Sequence, residues 1–275
     1  MPSMISAAIQ MTSGDDIAEN ITALAPLLEQ AVTQGATFVA TPENTFYMRR
    51  EGTAAMQDLP MAQHPGVAFA KAAAKQHGIW LLIGSIRAKE AGMEKPFNRS
   101  ILFSPEGDIA ASYDKIHLFD VTLEGGHSYR ESAQAEAGGD AVIAVMGDIQ
   151  LGMSICYDVR FPNLYRALAL QGAEILSVPA AFTRPTGEAH WHTLLKARAI
   201  ENACYVIAPA QCGVHPGGRE TYGHSLIIDP WGKVVAEATS DVPQVILAEI
   251  DPKRVQAVRS QIPVLTHHRT IPEVK

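Results

Sequence analysis

The sequence predicts an α/β fold with mixed sheets, and three observations carry that reading. Short apolar runs of strand character alternate with longer segments of helical period in both halves of the chain. Two stretches, 100–113 and 225–236, pair strand-like runs across Pro-Glu-Gly-Asp and Pro-Trp-Gly turns, so part of the sheet structure is antiparallel. Of the 275 residues, 47% are hydrophobic and 19% charged, which is enough apolar material for a sizeable core.

The elements follow in order. Residues 5–10 read as a strand. Asp15 or Asp16 caps a helix through Gln34, with Ile17, Ile21, Leu24, Leu28 and Ala31 on one face and Gly35 ending it. Residues 37–41 form a strand that Pro42-Glu43-Asn44 breaks. An alanine-rich helix spans 65–77 and stops at Gly78; 79–85 is a buried strand. The hairpin of 100–104 and 109–113 leads into Asp114-Lys115-Ile116-His117. Residues 122–140 are glycine-rich and without period, a long loop of the kind that often carries function, and they hold Glu124 and Glu131.

Alternation resumes at 141–145 and leads to an apolar strand at 149–155, after which Pro162 opens an amphipathic helix through Leu170. A strand at 174–179, a loop at 182–187, a helix at 188–202 and a strand at 205–209 follow. Residues 215–222 are a glycine-rich loop, 225–229 and 233–236 flank the Pro-Trp-Gly turn, 245–250 is a last strand, 252–261 a short helix, and 262–275 a polar tail. Without a linker-like shift or a repeat, the reading is one domain over 1–275.

Several function classes lose support on composition. A formal charge of −7 without a basic block argues against a nucleic acid or an anionic membrane as partner. No apolar run approaches the roughly 20 residues of a membrane span. Residues 1–11 lack the charged flank and cleavage site of a signal peptide, and the three cysteines, Cys156, Cys204 and Cys212, show no CxxC spacing, so the expectation is a cytoplasmic, disulfide-free protein. His190 and His192 flank Trp191, but residues two apart on a helix face different ways, and there is no H-E-x-x-H. No phosphate-binding glycine motif follows a strand. Neither a metal nor a cofactor is expected.

The stretch 152–161, G-M-S-I-C-Y-D-V-R-F, places Cys156 between a strand and a helix, the position of a nucleophile elbow. A helix N-terminus there favours a thiolate and a developing oxyanion. The alternative is a small buried core cysteine. Ser154 falls inside the strand and is the poorer nucleophile. Glu43 and Lys115 also stand at strand ends; taken singly, they are a loop carboxylate and a surface lysine. Together the three suffice for acyl transfer from an amide. Glu43 takes the thiol proton and returns it to the departing nitrogen, Lys115 and the Tyr157 N–H stabilise the oxyanion, and water cleaves the resulting thioester.

The pieces T-P-E-N around Glu43, Y-D-K-I-H-L-F-D around Lys115 and G-M-S-I-C-Y-D-V-R-F-P around Cys156 occur in the order found in the carbon–nitrogen hydrolase, or nitrilase, superfamily, which the chain resembles over nearly its whole length. The resemblance implies a four-layer αββα sandwich, a Glu-Lys-Cys triad, no cofactor, and a homodimer or homotetramer. It also implies a second glutamate; the R-E-S segment favours Glu131 in that role, with Glu124 as the rival.

The second half, with A-F-T-R-P-T-G-E-A-H-W-H, R-A-I-E-N-A-C-Y-V, A-Q-C-G-V-H and Y-G-H-S-L-I-I-D-P-W-G, resembles the Nit branch. That implies a small α-keto acid amide as substrate: deaminated glutathione first, α-ketoglutaramate or α-ketosuccinamate second. Arg160, four residues after Cys156, is a candidate for the keto-acid carboxylate, unless it pairs with Asp158. Arg184 and Thr186 are further candidates, and Phe182, Tyr47 and His117 are candidate walls. His192 departs from the branch pattern, which commonly has glutamate in A-H-W-E.

Overall fold

The computed structural model of the protein describes residues 3–50, 58–123, 128–239 and 241–271. In chain order its elements are β1 (Met4–Gln10), α1 (Ile17–Thr33), β2 (Phe38–Ala40), α2 (Pro65–His77), β3 (Trp80–Ala88), β4 (Phe97–Phe103), β5 (Ile109–Asp114), β6 (Asp120–Thr122), β7 (Ser128–Arg130), β8 (Ile143–Met146) and β9 (Ile149–Gly152). Then come α3 (Pro162–Leu170), β10 (Ile175–Ser177), α4 (Arg184–Asn202), β11 (Tyr205–Ala208), β12 (Cys212–Val214), β13 (Glu220–Tyr222), β14 (Leu226–Ile228), β15 (Val234–Glu237), β16 (Gln244–Ile250) and α5 (Pro252–Gln261).

Local chemistry sets the helix ends. The Asp16 carboxylate accepts from the Glu19 N–H at 2.9 Å and starts α1. On its buried face Asn20 joins the expected apolar residues, with Ile21 half-buried at the margin, because the Asn20 side chain bonds the carbonyls of Gly14 and Phe46 and ties the helix to the loop after β2. Gly78, at φ +63°, ends α2 in the left-handed conformation that glycine adopts without strain.

The strands form two six-stranded sheets, β16-β1-β2-β3-β4-β5 and β15-β14-β11-β10-β9-β8. Each has three parallel strands at its centre, β1-β2-β3 and β11-β10-β9, flanked by antiparallel ones. The period of two sorts the first sheet's side chains. Ala7, Ile9, Val39, Leu81 and Ile101 pack under Leu24, Leu28, Ala70 and Ala74 of α1 and α2. Ala8, Phe38, Ala40, Leu82 and Leu102 face the other way, into a core shared with Leu151, Ile175 and Ile207 of the second sheet, which α3 and α4 continue with Leu168, Trp191 and Leu195. The layers are therefore helix, sheet, sheet, helix.

Four expectations need correction. The loop at 122–140 contains β7 and a 3-10 turn, Glu131–Ala133; β7 pairs with β6 in a ribbon too short to show alternation. The loop at 215–222 is the far side of the β12–β13 hairpin. α4 begins at Arg184, not 188: Pro185 suits a first turn, and Gly187 is no breaker but a site where Tyr222 packs so close that a Cβ would lie 2.3 Å from it. The strand expected over 149–155 ends at Gly152.

Candidate active site

Sheet topology brings the site together. β4 is antiparallel to β3, and β5 to β4, so β5 ends on the same edge as the parallel β2 and β3. Glu43 follows β2 and Lys115 follows β5. In the facing sheet, the parallel β9 and β10 lead to Cys156 and Ala181.

Cys156 stands at φ +48°, a left-handed conformation that costs a non-glycine residue about 1–3 kcal/mol unless its surroundings hold it. They do so here. The Cys156 N–H donates to the Pro179 carbonyl at 2.9 Å. The buried Asp158 carboxylate accepts from the Ile155 N–H at 2.8 Å, the Tyr113 hydroxyl at 2.7 Å and the His117 N–H at 3.1 Å, and pairs with His117 Nδ1 at 2.7 Å. The following turn is a 3-10 helix, Cys156–Arg160, before α3 opens at Pro162.

Lys115 Nζ donates to Glu43 Oε1 at 2.8 Å and to Glu131 Oε2 at 2.9 Å. Asn98 Nδ2 donates at 2.9 Å to Oε1 of each glutamate. The Ala181 N–H holds Glu43 Oε2 at 3.0 Å, and the Phe119 N–H holds Glu131 Oε2 at 2.7 Å. Glu43, Lys115 and Cys156 are all buried.

This packing sets the protonation states. Burial pushes the Glu43 carboxyl up, but the Lys115 charge and hydrogen bond overcome it, and the group ends below the usual carboxylate range. Burial alone would neutralise Lys115; the charges of Glu131 and Glu43 hold it cationic. Burial, then the Glu43 charge, push the Cys156 thiol well above its ordinary value. The resting set is thus a carboxylate, an ammonium and a neutral thiol. This corrects the expectation of a dipole-favoured thiolate: the following helix is a single 3-10 turn, and a carboxylate sits beside the sulfur.

These residues line a cavity of about 360 Å³, together with Phe119, Tyr129, Tyr157 and Phe182 and the basic side chains Arg49, Arg87, Arg130 and Arg219.

The carbon-nitrogen hydrolase family model matches residues 6–260. The chain belongs to the carbon-nitrogen hydrolase family. It is a hydrolase of carbon–nitrogen bonds, an amidase of the nitrilase superfamily. It is 44% identical over 272 residues to a deaminated glutathione amidase of Synechocystis, covering 97% of this chain and 98% of that one. A Yersinia enterocolitica protein of the same name is 38% identical over 274 residues, covering 96% and 93%. The crystal structure of the Caenorhabditis elegans NitFhit protein superposes with a TM-score of 0.90 at 39% identity, over 97% of this chain and 65% of that one.

Of the residues that the sequence suggested for this carbon-nitrogen hydrolase site, Glu43, Lys115, Cys156, Glu131, Tyr157, Phe182 and Thr186 line the cavity. Glu124 lies outside the described residues. Four candidates do not line it. Arg160 neither faces the cavity nor pairs with Asp158; it bonds His190 and lies over the rings of Tyr157 and Phe182, bracing that wall. Arg184 is paired with Glu220 and Asp241. Tyr47 packs against the core that the first sheet shares with α1 and α2, and Asn44 and Met48 line the cavity instead. His117 is held by Asp158 and stacked on Phe161 at 3.6 Å.

Sequence reasoning missed Asn98, Asp158 and Arg219. Asn98 is the second residue of β4, ahead of the strand that the sequence shows at 100–104, where nothing local marks it. Asp158 stands inside the Cys156 motif, so its place beside the cysteine was the available signal. Cys204 and Cys212 are buried away from the cavity, where Cys204 donates to the Ala173 carbonyl and Cys212 contacts Thr12. Among the described residues no helix is long and apolar enough to cross a membrane.

Proposed function

We propose that the chain hydrolyses deaminated glutathione to 2-oxoglutarate and cysteinylglycine through a thioester on Cys156. The observation that carries the mechanism is Lys115 lodged between Glu43 and Glu131 beside the thiol. Cys156 Sγ attacks the amide carbonyl carbon while its proton passes to Glu43. The oxyanion is received by the Lys115 ammonium and the Tyr157 N–H. Glu43 then protonates the departing nitrogen, and cysteinylglycine leaves. Water, deprotonated by Glu43, attacks the thioester carbon; the thiol takes back its proton, and 2-oxoglutarate is released. Glu131 and Asn98 hold Lys115 and Glu43 in register.

The substrate assignment draws on the names of the relatives and on the cavity. Deaminated glutathione carries a carboxylate at each end. Arg219 Nε is buried and donates no hydrogen bond among the described residues, although its Nη2 donates to the Ala181 carbonyl at 2.9 Å. Among the described residues, the hydrogen bonds of the Arg130 side chain go to the carbonyls of Val121 and Tyr129. Both guanidiniums keep donors for carboxylates, the role for which Arg160 and Arg184 stood in the sequence. The cavity volume lies within the roughly 300–1,000 Å³ of small-molecule sites and accommodates a dipeptide leaving group.

Comparing kcat/KM for deaminated glutathione and α-ketoglutaramate tests the assignment. The first is expected to be preferred; equal rates would overturn that order, and turnover of the second alone would make the chain an ω-amidase instead. A covalent adduct on Cys156, trapped by acid quench and lost in Cys156→Ala, tests the thioester. In solution we expect a homodimer or homotetramer, to be read by light scattering, and in the cell a cytoplasmic location, to be read by fractionation.

A further inference from the structure

His192, His224 and Glu237 meet outside the cavity, and nothing in the hydrolysis uses them. They come from three elements: His192 from α4, His224 from the turn before β14, and Glu237 from the end of β15. His192 Nε2 lies 3.0 Å and His224 Nδ1 2.9 Å from the same oxygen, Glu237 Oε1. The three atoms all lie within 4.8 Å of one another. The side chains are 31%, 30% and 30% exposed, so ions in solution reach them.

The ring orientations are fixed by neighbours. Tyr222 stacks on His224 with centroids 4.4 Å apart, and its ring meets that of His192 edge-on at 6.1 Å. His224 is held at φ +51°, and its carbonyl accepts from Trp191 Nε1 at 2.8 Å. Rigid support of this kind is what an outer shell supplies to metal ligands.

We propose that His192, His224 and Glu237 bind one divalent transition-metal ion of the zinc type per chain, with water completing the shell. Two imidazole nitrogens and a carboxylate suit zinc; magnesium and calcium ask for oxygen. Bonds of about 2.0–2.1 Å in a tetrahedron place ligand atoms about 3.3 Å apart. The two N···O edges need to open by only a few tenths of an ångström, and the N···N edge, within 4.8 Å, is adjustable by rotation of the rings. Each neutral imidazole then offers its lone pair at the nitrogen now facing Glu237, and its N–H moves to the other ring nitrogen, so no redox step is involved.

The ion would act on structure. α4 also carries Thr186, which lines the cavity, and Trp191, whose ring packs 5.0 Å from that of Phe182. A metal joining α4 to β15, the edge strand of the second sheet, would pin that wall from outside. Sequence reasoning set His192 aside because it considered only neighbours on one helix; the partners come from 32 and 45 residues further along the chain.

The test uses the full chain, stripped with EDTA and with its cysteines capped by iodoacetamide so that thiols do not compete. Zn²⁺ is titrated by calorimetry and Co²⁺ by its visible absorption. One ion per chain is expected, with Co²⁺ bands of a low-coordinate N/O site. Glu237→Gln and His192→Gln, each checked by circular dichroism for an unchanged metal-free fold, are expected to weaken binding at least tenfold. If either variant fails to fold, His224→Asn replaces it in the comparison. No stoichiometric binding, or binding unchanged by the substitutions, overturns the proposal and leaves a hydrogen-bonded cluster.

Discussion

Glu43 and Glu131 share two donors: Lys115 Nζ reaches both carboxylates, and so does Asn98 Nδ2. A buried and a half-buried acid brought this close would ordinarily force one to keep its proton. The ammonium between them removes that pressure, so Glu43 rests as a carboxylate beside a neutral thiol. In the proposed hydrolysis, Glu43 would then be a base already ionised before substrate arrives, and the sulfur would not rest as a thiolate.

Removing the ammonium should disable both of its tasks. In Lys115→Met, Glu43 loses the charge that holds its proton affinity down, and the oxyanion loses a donor. A fall in kcat of at least roughly 10²–10³-fold with KM little changed is expected from steady-state kinetics. A pure KM effect would contradict the role.

Glu131→Gln keeps the shape but removes one of the two charges on Lys115. Weakening a hydrogen bond to a charged group costs about 1.5–3 kcal/mol. A lower melting temperature together with reduced kcat is expected, whereas unchanged kcat would make Glu131 a structural residue only.

The pH profile separates this site from a histidine-dependent one. Glu43 has a folded pKa below its ordinary 4.5, so its stabilising pairing is complete above that value and is lost as pH falls through the lower one. Lys115, raised above 10.5, contributes at all lower pH and loses its charge only as pH rises through the higher value. kcat/KM should therefore stay level across neutrality and fall on the acid side only below about pH 4.5. An inflection near 6.5 would assign the base to a histidine.

Asp158→Asn tests the elbow. The carboxylate satisfies the Ile155 N–H, the Tyr113 hydroxyl and both donors of His117. An amide cannot accept at both positions, and one buried donor left unmet costs about 1–3 kcal/mol. Loss of stability with a large fall in the rate of Cys156 acylation is expected; rapid-quench kinetics would read it.

Gly84→Ala tests the Glu43 loop from behind. A Cβ there would lie 2.1 Å from the Thr41 carbonyl and 2.3 Å from that of Pro42. The loop must shift and carry Glu43 away from Lys115. Activity should fall even though no cavity residue has changed.

The sequence by itself determined which residues stand at strand ends. The apolar period, the Pro42 break after β2, the hairpin before Lys115 and the turn at Cys156 are local signals, and local sterics and turn chemistry decide them. With the three motifs in order, that fixed the family, most element boundaries and the Glu43, Lys115 and Cys156 set. The tertiary structure decided which side chains those ends meet. Asn98 reaches Glu43 across 55 residues and the Ala181 N–H reaches it across 138, and no window of sequence encodes such a pairing. The same holds for the arginines: Arg184 looked available until Glu220 and Asp241 took it, while Arg219 lies on a hairpin that sequence showed only as a glycine-rich loop. Protonation was likewise out of reach of sequence, because burial and the charges packed around a group set it, and both are properties of the assembled sheets.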